Sequence, residues 1–225
     1  MAKNKPLNLR QHRSKVGLAR VTTKLKAPGR RVLIVCEGSK TEPKYFKAIK
    51  RDLGISNADV KICGEECGSD PLSVFSYAQD ICKEDDGFDE VYCVFDKEGT
   101  EERRLNYVDA CARIKAKKVK KGRVFKAIGS VPCFEYWYLL HFRYTTAGFT
   151  AQGKKSSGDM VVSALKKELP NYEKSMASVY EALKDKIDKA RTNAAKSFAA
   201  AEANGSDNPS TEVHILVDAL MALKK

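Results

Sequence analysis

Four short apolar runs, RVLIVC, VKIC, DEVYCVF and RVFKAIG, recur along the first half of the chain, and a stretch with helical periodicity separates each from the next. Runs of this kind suit strands buried on both faces, which is what a parallel sheet covered by helices requires. The intervening stretches carry their own start signals. TEPKYFKAIKRDL offers Thr41 as a cap and Pro43 in the first turn, and DPLSVFSYAQDIC offers Asp70 as a cap with Pro71 just inside. TEERRLNYVDACARIKAKK, after the third run, completes the series. Helices joining parallel neighbours imply right-handed crossovers. The expected fold class is therefore α/β: a mainly parallel sheet flanked by helices over residues 31–145.

Beyond that series the pattern changes. PCFEYWYLLHF reads as an apolar helix and TTAGFTAQGKKSSG as a polar loop, and helical periodicity fills most of residues 159–203 with a break near LPNYEKS. NPSTEVHILVDALMALKK reads as a last helix, opened by Ser210 or Thr211, with Val213, Leu216, Leu220 and Leu223 on its apolar side. Residues 146–225 are expected to form a helical extension packed on the sheet. A chain of 225 residues is long enough to bury a sizeable core.

The formal charge of +12 is unevenly spread. Residues 1–31 hold ten Lys or Arg and no acid, whereas the remaining 194 residues hold 31 basic and 29 acidic side chains. Residues 1–30 read as a disordered basic arm, too poor in large apolar side chains to fold alone, that meets a polyanion; nucleic acid fits best. Nowhere do about 18 apolar residues run together, so no membrane span is expected and the reading is cytoplasmic. The seven cysteines sit mostly in or beside apolar runs and read as reduced core residues. Oligomeric state is not legible.

Acids end the runs. Glu37 follows the first, Asp96 and Glu98 follow the third, and Glu135 lies shortly past the fourth, in the first turn after Pro132. In an open parallel sheet the carboxyl ends of the strands share one edge, where ligands collect. Each acid alone reads as a turn or helix-start residue; together they would repel one another unless a cation is shared. Oxygen ligands without a nearby histidine suit magnesium or manganese. The cluster Lys115, Lys117, Lys118, Lys120, Lys121 and Arg123 is a candidate for a nucleic-acid backbone. Cys63 and Cys67 in CGEEC lack a second pair at zinc spacing, and His141 and His214 read as packing residues. No G-x-x-x-x-G-K-[ST] occurs, so any ATP hydrolysis belongs to a partner.

The glutamate and glycine of VLIVCEG, followed by the acidic pair of VFDKE, resemble the Toprim domain of primases, topoisomerases, recombination proteins and OLD-family nucleases. Toprim domains usually carry D-x-D, whereas this chain has Asp96-Lys97-Glu98, a ligand one methylene longer. RRVLIVCEGSKTEPKYF, PCFEYWYLLHF and NPSTEVHILVDAL together resemble the RloB-like family of bacterial defence proteins, over nearly all of the chain from Arg30 onward. The resemblance implies a metal-dependent phosphodiester hydrolase of anti-phage abortive infection, encoded beside an ABC-type ATPase, with RNA such as transfer RNA favoured over DNA. It also implies a second acid in the turn after the first, a role Glu42 matches with one extra residue between. Asp96 and Glu98 would be the principal metal ligands, Glu37 a ligand or the base that orients water, and Glu135 would complete the shell or hold a second metal. Some Toprim nucleases also use a nearby Lys or Arg to stabilise the phosphate, and the resemblance makes Lys40, Lys97, Lys189 and Arg191 the candidates for that role. Two other readings stay open. VFDKEGT is similar to the D-x-D-G-T of haloacid-dehalogenase phosphohydrolases, with Asp96 as nucleophile and Glu98 as acid, though that motif normally follows the first strand and would leave Glu37 idle. The other is a non-enzymatic nucleic-acid-binding or sensor subunit.

Overall fold

Strand β1 (Val32–Cys36) is buried along its whole length because it is paired on both sides, with β2 (Val60–Cys63) and β3 (Glu90–Asp96). A computed structural model describes residues 29–97, 99–118 and 122–224 of the chain. β4 (Val124–Val131) extends the parallel sheet beyond β3, and β5 (Ser210–Thr211) adds an antiparallel edge, giving the order β2-β1-β3-β4-β5.

The period of two along β1 divides the interior. Leu33 and Val35 face one layer, built with α2 (Pro71–Glu84) and α3 (Glu101–Ala116). Val32, Ile34 and Cys36 face the other, which α1 (Thr41–Asp52) shares with α4 (Glu135–Leu140), α5 (Ser157–Glu168), α6 (Val179–Leu183), α7 (Ile187–Asn204) and α8 (Val213–Met221). Aromatic side chains dominate this second layer. Tyr45 of α1 makes edge contacts with Phe134 and Trp137, at centroid distances of 5.8 and 6.4 Å, and lies 5.3 Å from the Tyr138 ring. Edge-to-face pairs of this kind add about 0.5–1.5 kcal/mol each to the burial of the rings.

The element boundaries follow the local chemistry with two departures. Asp70 caps α2 as expected, accepting from Leu72 N–H at 2.9 Å ahead of Pro71. Thr41 does not cap α1: Lys44 N–H already bonds to the Lys40 carbonyl at 3.1 Å, so the helical ladder starts one residue earlier and Lys40 takes the cap position. Ser210 and Thr211 do not open the last helix either. They pair with Val131 and Ser130, the Ser130 and Thr211 hydroxyls meet at 3.0 Å, and α8 starts only at Val213. The residues expected as a purely helical extension thus also contribute a strand to the sheet.

Candidate functional site

At the carboxyl end of β1, Glu37 still donates its N–H to the Val94 carbonyl at 2.9 Å, which keeps it in register beside β3. Its side chain turns toward Asp96, the last residue of β3. Asp96 N–H donates to Glu37 Oε2 at 3.1 Å, and the Arg103 guanidinium pairs with Glu37 Oε1. Asp96 Oδ2 accepts from Phe134 N–H at 3.1 Å, which ties the end of β3 to the start of α4. Asp96 Oδ1 is shut off from solvent and has no hydrogen-bond partner among the described residues. Glu135, the first residue of α4, is buried and accepts from the Tyr172 hydroxyl at 3.0 Å. Glu42 is buried in the first turn of α1, with its carboxylate directly over Gly38, where any Cβ would collide with it. The structure therefore brings Glu37, Glu42, Asp96 and Glu135 together from the ends of β1 and β3 and the starts of α1 and α4.

The shifts in acidity record how unwelcome negative charge is here. Burial pushes the Asp96 carboxyl well above its ordinary value, and Glu42, Glu135 and Glu37 push it further, while the Phe134 N–H pulls it back. Burial raises Glu42 from 4.5 to about 7, opposed by its own backbone N–H and reinforced by Glu135 and Glu37. Glu37 is also raised by burial, with the Asp96 N–H and Arg103 acting against the rise. Carboxylates that raise one another stay protonated or accept a cation.

The donor set fits a hard divalent ion: carboxylate oxygens only, one of them a buried Oδ1 without a partner. Among the described residues no group of three His, Cys, Asp or Glu side chains is arranged to hold an ion as it stands. Two of the acids are engaged by protein donors, Glu37 by Arg103 and Glu135 by Tyr172. Glu98 lies outside the described residues. Glu37, Glu42, Asp96 and Glu135 are the described residues that would hold magnesium or manganese.

An open cleft of about 710 Å³ leads to Glu37, Glu42 and Asp96, lined among others by Ser69, Gly99, Thr100, Arg103 and Arg104, while Glu135 lies behind its wall. Arg103 is the residue that sequence reasoning missed. Gly99, at φ +104°, turns the chain after β3, Thr100 caps α3, and Arg103 falls in the first helical turn, pointing back at Glu37. Its only signal is that position, one turn into the helix that follows the acidic loop.

Other candidates go elsewhere. Lys97 is tied to Asp207, and Arg191 is held between Asp188 and Asp218, joining α7 to α8. Neither lines the cleft. Lys189 donates to the Phe142 carbonyl at 2.6 Å, and Lys40 is exposed at the start of α1. Lys118 is exposed past the end of α3, and Lys117 beside it bonds to Gln79 at 2.8 Å. Lys120, Lys121 and residues 1–28 of the basic arm lie outside the described residues. His141 is a core residue: Nδ1 meets the Trp137 carbonyl at 3.0 Å, and burial lowers its pKa to about 4. The Cys67 thiol donates to the Cys36 carbonyl at 2.8 Å, and no described cysteine is in a disulfide. No helix among the described residues is long and apolar enough to cross a membrane.

Residues 32–220, from the first residue of β1 into α8, match the family described as RloB-like protein. No curated protein and no solved structure gives a significant match to the chain.

Proposed function

Since the chain belongs to the RloB-like protein family, we propose that it is a magnesium- or manganese-dependent nuclease, a phosphodiester hydrolase that prefers RNA such as transfer RNA to DNA. In this reading it is the toxic effector of a bacterial anti-phage system, acting in the cytoplasm and controlled by an ABC-type ATPase partner. The observation that carries the catalytic part is the gathering of three buried glutamates and the half-buried Asp96 at the carboxyl rim of the sheet, with Asp96 Oδ1 shut off from solvent and left without a donor. Substrate preference, the defence role and the partner rest on the family resemblance.

When bound, the divalent ion supplies Lewis acidity, polarising the phosphoryl group and lowering the pKa of water. The chain's own residues do the rest. Asp96, oriented by Phe134 N–H, and Glu42 present oxygens to the ion. Glu37, held from both sides by Asp96 N–H and Arg103, is placed to orient a water or accept its proton. Tyr172 holds Glu135 in a fixed rotamer behind them. Arg103, 39% exposed at its side chain, faces the cleft and would stabilise charge on the phosphate once substrate displaces water there.

The test incubates the purified chain with single-stranded RNA, transfer RNA and duplex DNA, in magnesium and in chelator. Magnesium-dependent cleavage of RNA is expected, with Asp96→Asn at least about 100-fold slower. Cleavage that survives the chelator, or an Asp96→Asn variant as fast as the wild type, would overturn the assignment.

A further inference from the structure

A second cavity, of about 640 Å³, lies at the opposite end of the sheet from the acidic cleft. It is framed by Arg31 just before β1, the last turns of α1, the start of β2, and Phe88 before β3. α1 connects the two sites. Glu42 stands in its first turn and Lys50 and Arg51 in its last, about 18 Å of helix in all. The cavity and the cleft share no lining residue.

The charged side chains that line this cavity are all cations, while Asp85 beside Arg31 and Lys61, Asp89 beside Arg31 and Asp59 beside Lys50 stand just outside it. Arg31, Lys47, Lys50, Arg51 and Lys61 line it, and no carboxylate does. Two of these cations are built into the wall. Arg31 is paired with Asp85 at 2.8 Å and its guanidinium carbon lies over the Phe88 ring, 4.6 Å from the centroid, and Lys50 reaches Asn57 Oδ1 at 2.9 Å. Lys47, Arg51 and Lys61 are exposed, and none makes an ion pair among the described residues. Ile55 and Ile62, both partly buried, add an apolar side. Cations free to pair beside a flat guanidinium and an aliphatic wall match the two halves of a nucleotide, since phosphates seek Lys and Arg and bases stack on guanidinium planes. The chain also reaches Arg31 from a run of 31 residues with ten cations and no acid. A polyanion seated in the cavity would therefore meet basic sequence immediately upstream.

We propose that this cavity is a second, non-catalytic nucleic-acid site. It holds the phosphates of a nucleotide unit in a single strand on Lys47, Arg51 and Lys61, with the base against Arg31.

Binding of a labelled single-stranded RNA of about 12 nucleotides to the full chain, followed by fluorescence anisotropy in chelator across a salt series, tests it. No cleavage is read, so failure of the nuclease reading leaves this result intact. K47Q/R51Q/K61Q is expected to bind at least tenfold more weakly and to flatten the slope of log K against log salt by about 2, three lost contacts at about 0.7 each. K61Q alone, at an exposed strand position, should flatten it by about 0.7. K166Q/K167Q/K196Q removes the same charge from exposed sites on α5 and α7 and should stay within twofold of the wild type. Thermal melts establish that each variant is folded. A free nucleoside triphosphate, titrated in parallel, separates the two sources of phosphate: loss of its binding alone would keep the site but overturn its assignment to a strand. The proposal fails if the triple variant binds both probes as the wild type does, or if the control triple loses as much.

Discussion

Glu42→Gln should stabilise the metal-free protein at alkaline pH, because the native fold holds this carboxyl where its charge is unwelcome. Burial and the neighbouring acids raise Glu42 from 4.5 to about 7. Between those values the native state keeps a proton that the unfolded chain has already lost, so stability falls as pH rises through the window. Below pH 4.5 the penalty is absent; above about pH 7 it is complete and amounts to about 3 kcal/mol. Glutamine copies the shape of the neutral acid and cannot ionise. The variant should therefore match the wild type at pH 4.5, gain on it steadily, and lead by about 3 kcal/mol at pH 8. Urea denaturation in chelator at a series of pH values, with a common m-value, measures the difference directly. Magnesium should narrow the gap by stabilising the wild type more than the variant, since binding to the native state adds stability by mass action. Cleavage should fall at the same time. A Gln variant no more stable than the wild type at pH 8, or a difference flat across pH, would refute the reasoning.

Three further substitutions probe the same rim. Gly38→Ala places a methyl group where the Glu42 carboxylate lies, so the carboxylate must move; magnesium affinity measured by calorimetry should drop about tenfold or more, as for outer-shell changes at other metal sites. Arg103→Leu removes the cation beside Glu37; the expected loss is about 1–2 kcal/mol at pH 8, discounted for the exposure of Arg103, and shrinks as pH falls and Glu37, whose pKa burial raises, takes up its proton, read from thermal or urea melts. Tyr172→Phe deletes the hydroxyl that donates to buried Glu135, with an expected cost of about 1–3 kcal/mol in urea and a fall in the magnesium-dependent cleavage rate.

The parallel core was legible because strands buried on both faces leave continuous apolar runs, and the acids stood out because each interrupts or follows one. The rest depends on contacts between distant segments. Ser210 and Thr211 look like caps in one dimension, and only the open edge of β4 makes them a strand. Arg103 reads like any charge on a helix surface until the turn at Gly99 aims it at Glu37. Lys97 and Arg191 looked equally free, yet Asp207 and Asp218 engage them. The basic cavity was hidden for the same reason: Arg31, Lys47, Lys61 and Phe88 lie in separate stretches and meet only where the sheet begins.

Tyr45 sits one turn beyond Glu42 on α1, and Phe134, Trp137 and Tyr138 flank Glu135 on α4, so interlocked rings act as the spacer that sets how far apart those two acids stand. An aromatic replaced there by an aliphatic side chain of similar volume would leave a foldable protein with its acids misaligned. Exchanging α4 between relatives without its partner α1 should therefore transplant the acid but not its placement.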